Sequence, residues 1–177
     1  PTQNWNSLVG GANNFMATSA TGALARSQDG ANWSDLSGNI GADIFRGCAW
    51  ENVSAQWVVV SETGVVYISG DEGQSWTSSQ VEPYDGSTPV FTHIAAGNGL
   101  IIIANDFGQT WESVDGGSTF ELAADVGGDK FLMQHLTFTG DKFIASVQDS
   151  PFDDSTSGNK FFVSNANAAQ SSTSAVT

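Results

Sequence analysis

Basic residues are scarce in this chain: Lys and Arg together number 5, against 19 Asp and Glu, for a formal net charge of −14. That sign is wrong for gripping a phosphate backbone or an anionic leaflet, so nucleic acid and lipid are excluded as main partners. Cysteine is nearly absent too. Cys48 stands alone, which rules out an internal disulfide and a cysteine-based zinc site. Long hydrophobic runs are missing: the longest, Leu100 to Ala104, is the size of a strand and far short of a membrane span, so no membrane insertion is expected. The N-terminal residues carry no basic and apolar leader signal, so if Pro1 follows a removed methionine, no secretory leader was used. No segment shows an amphipathic helical period of useful length. What is present is 40% hydrophobic residues in 177, with 20 glycines and 6 tryptophans. That content suits one folded unit or a short repeat array rather than two enzyme domains.

The repeat is legible directly. Ser27-Gln28-Asp29-Gly30, Ser69-Gly70-Asp71-Glu72-Gly73 and Ser113-Val114-Asp115-Gly116-Gly117 each lead to a closing aromatic, Trp33, Trp76 and Phe120. The aspartates lie 42 and 44 residues apart. Apolar runs starting at Phe15, Trp57, Ile101 and Phe143 precede the turns, and seven residues before those starts stand Leu8, Trp50, Ile94 and Leu136. Each unit reads as four short strands; in the second they run roughly 45–50, 56–61, 65–69 and 75–80, with Glu62-Thr63-Gly64 as a hairpin turn. Four strands in 42 to 44 residues is the size of one β-propeller blade, whose faces are buried by its neighbours. The expected fold is therefore all-β, a propeller-like array of four four-stranded blades in one domain, 1–177, with blades near 1–40, 41–85, 86–128 and 129–177. The fourth unit is degenerate: Ala166 replaces the aspartate, Gln170 the aromatic, and an insertion falls within 148–159.

The pattern Ser-x-Asp-x-Gly-x-x-Trp resembles the Asp-box, or BNR, repeat of sialidases, sortilin-type ectodomains, some glycoside hydrolases and photosystem assembly factors. The resemblance covers nearly the whole chain and implies a structural turn between third and fourth strands. In it, Asp29, Asp71 and Asp115 accept backbone N–H groups of their own loops while Trp33, Trp76 and Phe120 pack between sheets. The chemistry agrees, since aspartate readily bonds backbone groups downstream and glycine supplies positive φ. Carboxylates so far apart do not converge on one calcium ion.

Sialidase activity, as the family implies it, needs three arginines around the substrate carboxylate, and this chain has Arg26 and Arg46. Another glycoside hydrolase needs only two carboxylates across a cleft; Asp149, Asp153, Asp154, Glu62 and Asp106 are the candidates, read more simply as a solvated acidic face. His93 and His135 share a repeat position with Ser7 and Ala49. Without a clear third ligand they predict hydrogen bonds between blades rather than a metal site. No nucleophile-elbow context surrounds any serine, and Cys48 has no evident base. No catalytic residue, metal or cofactor is assigned.

These features predict a non-enzymatic display or recognition module. Its composition, low in lysine and rich in Ser, Thr, Gly and Asn, is like that of bacteriophage tail, fibre or capsid-surface proteins, which places it on a virion surface or outside a cell. The expected partners are other virion or assembly proteins, or a cell-surface glycan, with a second copy of the chain as a further candidate. Tyr84, Asp85, Phe107, Phe152, Asp153 and Asp154 are the expected binding residues, as aromatic and acidic groups on loops of one face. The alternative is a carbohydrate-binding propeller or part of a glycoside hydrolase.

Overall fold

The computed structural model describes residues 3–82, 88–106, 108–125, 131–149, 160–165 and 174–176. Tyr84, Asp85, Phe107, Phe152, Asp153 and Asp154 lie outside them. Among the described residues sixteen strands form four sheets of four, each an antiparallel meander in chain order. The first comprises β1 (Trp5–Gly10), β2 (Phe15–Ser19), β3 (Leu24–Ser27) and β4 (Trp33–Asp35). A single helical turn, α1 (Ser37–Ile40), leads to β5 (Phe45–Glu51), β6 (Gln56–Ser61), β7 (Val65–Ser69) and β8 (Thr77–Gln80). The third sheet holds β9 (Phe91–Gly97), β10 (Leu100–Asn105), β11 (Gln109–Ser113) and β12 (Glu121–Asp125). The fourth holds β13 (Phe131–Phe138), β14 (Lys142–Asp149), β15 (Lys160–Asn165) and β16 (Ser174–Val176).

The sheets stack face to face, and the stacking explains the sequence texture. A strand covered on one face alternates apolar and polar residues, whereas one covered on both faces reads as an unbroken apolar run. Trp57-Val58-Val59-Val60 and Leu100-Ile101-Ile102-Ile103-Ala104 are buried throughout because β6 and β10 are central strands of the two inner sheets. Met16, Leu24, Phe45, Cys48, Trp57 and Val59 form the core between sheets one and two. Val58, Val60, Phe91, Ile101, Ile103 and Trp111 form that between two and three, and Ala95, Ile102 and Phe143 lie between three and four.

The turns from third to fourth strand repeat atom by atom. Ser27, Ser69 and Ser113 donate to Asp29, Asp71 and Asp115 Oδ1 at 3.1, 2.8 and 2.8 Å. The same Oδ1 atoms accept the backbone N–H of Asn32, Ser75 and Thr119 at 2.7, 2.9 and 3.0 Å. These bonds favour the ionised form, holding the Asp71 and Asp115 carboxyls down at about 2 and Asp29 well below its ordinary value. A second device, not foreseen, closes the hairpins between second and third strands. Ser19 Oγ, Ser61 Oγ and Asn105 Oδ1 accept the N–H of Ala23, Val65 and Gln109.

Two expectations need correction. Trp76 and Phe120 are half-buried against the cores on their N-terminal side, but Trp33 is exposed, because no sheet among the described residues covers that face of the first one. The first-strand register also slips in the second unit. Leu8, Ile94 and Leu136 pair with Ala17, Ile103 and Ala145, yet Val59 pairs with Cys48 rather than Trp50. The β5–β6 hairpin carries two extra residues, and its turn is held by the Glu51 carboxylate, which accepts Val53 and Ser54 N–H groups. A slip of two keeps each side chain on its face, so packing survives. Gly47, not Ala49, is thereby the equivalent of His93.

Candidate functional site

Each first strand breaks its ladder once, and always at the same place. One residue is skipped between Trp5 and Ser7, Phe45 and Gly47, Phe91 and His93, and Met133 and His135. The extra residues are Asn6, Arg46, Thr92 and Gln134. A β-bulge leaves one residue unpaired and re-aims its side chain, so four aligned bulges gather four hydrogen-bonding groups that a regular strand would have scattered. All four line one open cavity of about 760 Å³ where the first strands converge.

The cavity is unlike the rest of this acidic molecule. Its described lining contains no carboxylate, whereas Arg46, His93 and His135 all reach it. Asn6 Nδ2 donates to the Phe45 carbonyl at 2.7 Å, tying the first sheet to the second, and Asn6 Oδ1 accepts from Thr18. Arg46 forms an ion pair with Glu62, while its buried Nε has no partner. Thr92 and His93 work as a unit. Gln134 O can only accept, so His93 Nε2–H donates to it at 3.1 Å and Nδ1 receives the Thr92 hydroxyl at 2.8 Å. Burial lowers the His93 pKa, outweighing the Gln134 hydrogen bond and the Asp106 charge, which raise it, and so favours the neutral ring. This is the hydrogen bond between neighbouring sheets expected of that histidine. Its partner ring, His135, donates Nδ1–H to the same Gln134 carbonyl at 2.8 Å.

Chemically the arrangement offers amide, hydroxyl, imidazole and guanidinium contacts. Cys48 borders the cavity, but burial pushes its thiol up to about 11, leaving essentially no thiolate at neutral pH. Among the described residues no group of three or more His, Cys, Asp or Glu side chains could hold a metal ion. Arg26 sits elsewhere, paired with Glu72 at 2.9 Å between the first two sheets. Sequence reasoning missed Asn6, Thr92 and Gln134. The available signal was a polar residue between an apolar residue and Ser, Gly or His: Trp5-Asn6-Ser7, Phe45-Arg46-Gly47, Phe91-Thr92-His93 and Met133-Gln134-His135.

Four-stranded meanders stacked around converging first strands define the β-propeller class, and solved structures agree. The chain is similar to YCF48 from Cyanidioschyzon merolae, with 13% identity over 99% of this chain and 57% of that one, at a TM-score of 0.64. It is similar to YCF48 bound to D1 peptide, with 16% identity over 98% and 55%, at 0.66. The GH74 xyloglucanase from Xanthomonas campestris matches at 16% identity over 86% of this chain and 27% of its own, at 0.58. The chain thus spans little more than half the length of the YCF48 structures, and at these identities the likeness is one of fold. No protein-family model matches the sequence, and neither does any curated protein.

Proposed function

We propose that this chain is a non-enzymatic recognition module of the Asp-box type that receives a segment of a protein partner on its bulged first strands. The observation carrying this reading is the convergence of Asn6, Arg46, Thr92 and Gln134 on a cavity whose described lining has no carboxylate. Amide and guanidinium groups are the complements of a peptide backbone and its carbonyls. YCF48, a neighbour of the same fold, has been solved with a peptide bound. The setting we favour is a virion surface or tail assembly, from the lysine-poor, Ser- and Gly-rich composition. In that setting Tyr84, Asp85, Phe107, Phe152, Asp153 and Asp154, named from the sequence alone, are the proposed contact residues.

The test is a panel of immobilised peptides and a glycan array, each probed with the wild-type protein and with a variant carrying Asn6→Ala and Gln134→Ala. Peptide binding weakened at least tenfold by the pair, with an unchanged circular-dichroism spectrum at the assay temperature, supports the reading. Glycan binding without peptide binding would overturn it. That result would favour the carbohydrate-binding alternative, for which the xyloglucanase likeness speaks. Hydrolysis of a glycan has less support, since the pair of carboxylates it requires is missing from the described lining.

A further inference from the structure

The four bulge residues line one cavity, but their protons are not equally free. Arg46 can only donate, and the side-chain amide of Gln134 carries both donors and an acceptor. Asn6 uses Nδ2 for the Phe45 carbonyl. Thr92 differs from all three. A hydroxyl has one proton and two lone pairs, and the proton of Thr92 is committed to His93 Nδ1 at 2.8 Å, because the neutral ring keeps its single proton on Nε2 for the Gln134 carbonyl at 3.1 Å. That carbonyl also accepts His135 Nδ1–H at 2.8 Å, so both its lone pairs are engaged. Among the described residues Thr92 Oγ has no other partner, and it brings to the cavity lone pairs alone.

We infer that Thr92 selects what the cavity binds, accepting an N–H group of the bound peptide and rejecting a carbonyl, because His93 has taken its proton. This rests on the peptide reading of the cavity and gives that contact its polarity. A peptide unit carries one N–H and one C=O, and the cavity meets them with different residues, Thr92 for the first and Arg46 for the second. A carbonyl set against Thr92 would face oxygen lone pairs and lose its own hydrogen bond to water. His93 acts through Thr92 as a positioning residue, and the orientation it imposes reverses when the ring is protonated. A proton added at Nδ1 makes that nitrogen a donor, Thr92 Oγ becomes its acceptor, and the hydroxyl proton turns free for a ligand carbonyl. Burial is the largest influence on the ring and holds its pKa below the ordinary 6.5. The Gln134 hydrogen bond and the charge of Asp106, in the β10–β11 turn, oppose burial, His135 on β13 adds to it, and Arg46 on β5 lines the same cavity. The accepting state therefore holds at neutral pH and the reversed state belongs to acid.

Two small amides test it on the intact chain by nuclear magnetic resonance: N-methylacetamide, which has one N–H, and N,N-dimethylacetamide, which keeps the carbonyl and has none. At neutral pH the imidazole nitrogens should show His93 protonated at Nε2 and bare at Nδ1. N-methylacetamide should bind at Thr92 about fivefold more tightly than its dimethyl analogue, the ratio that one ordinary hydrogen bond gives. That ratio should vanish in Thr92→Val, with an unchanged circular-dichroism spectrum, and in the wild type once His93 is protonated. Should Thr92→Val not fold, the acid titration of the wild type replaces it. A proton on Nδ1 at neutral pH, equal binding of the two amides, or a ratio that survives Thr92→Val or protonation of His93 would each overturn the inference and leave the peptide reading standing. A cavity whose resonances neither amide shifts would overturn the peptide reading and this inference with it.

Discussion

Replacing Glu51 by Gln isolates one buried carboxylate that joins two sheets at their hairpin tips. Glu51 is 1% exposed, and its oxygens accept the N–H of Val53 at 3.1 Å, of Ser54 at 2.6 Å and of Gly99 at 2.7 Å, plus the Ser54 hydroxyl at 2.5 Å. Burial alone would raise its pKa, but the four bonds outweigh it and the carboxyl lies below its ordinary value of 4.5. A glutamine keeps one accepting oxygen and turns an NH₂ group toward donors. At least two donors then lose their acceptor, at about 1 to 3 kcal/mol for each that water cannot reach. Val53 and Ser54 lie in an exposed turn where water repairs part of the loss, so the net cost is placed near 2 kcal/mol. Urea unfolding followed by tryptophan emission measures it at neutral pH. A group whose folded pKa is depressed stabilises above its unfolded value and loses that contribution as pH falls through the folded one. The gap between wild type and Glu51→Gln is therefore full above pH 4.5 and closes in acid. A gap under about 0.5 kcal/mol at neutral pH, the size of an ordinary surface substitution, would refute the reasoning, as would one indifferent to acid.

The Asp turns make a parallel claim at the surface. Asp71→Ala is expected to cost about 1 to 2 kcal/mol, since Ser75 N–H, Ser75 Oγ and Ser69 Oγ lose their common acceptor. Because Asp71 and Asp115 are lowered from 3.8 to about 2, the deficit of a double alanine variant should hold constant above pH 4 and fade toward pH 2 in thermal melts. Gly97 tests the packing between third and fourth sheets, because a Cβ there would overlap the Phe138 ring. Gly97→Ala should lose about 1 to 3 kcal/mol by overpacking, and a smaller Phe138→Leu in the same chain should recover part of it. Additive effects in that cycle would show the two residues are not in contact.

What the sequence revealed depended on how far apart the cooperating residues are. The Asp turns were legible because their donors and acceptors lie within five residues of one another, and the strands of the second unit because tight hairpins separate them. The bulges were not, since a skipped residue leaves no mark on composition and shows only when two strands are set side by side. Asn6, Arg46, Thr92 and Gln134 share no residue type, and their common property is a place in the ladder. The slip at Trp50 escaped for a related reason: a hairpin longer by two residues preserves alternation, so the pattern of buried positions reads the same before and after it.

The exposure of Trp33 carries a further lesson about repeats. Sequence equivalence to Trp76 and Phe120 predicts burial, and within its own turn Trp33 meets every local condition, down to the indole hydrogen bond to Gly30. The failure lies in the neighbour, because an aromatic of this kind is covered by the sheet before its own, and the first sheet has none in the described molecule. In a stacked array the energy of each unit divides into an internal term and a term shared with the next. The first sheet has the internal term complete and one shared term unused. An exposed face made of Trp5, Leu8, Phe15 and Trp33, on a chain with a net charge of −14, carries none of that charge among those four side chains. Solubility alone would favour polar residues there. Their apolar character fits a face that is covered, so the missing shared term, rather than the turn, accounts for the exposure of Trp33.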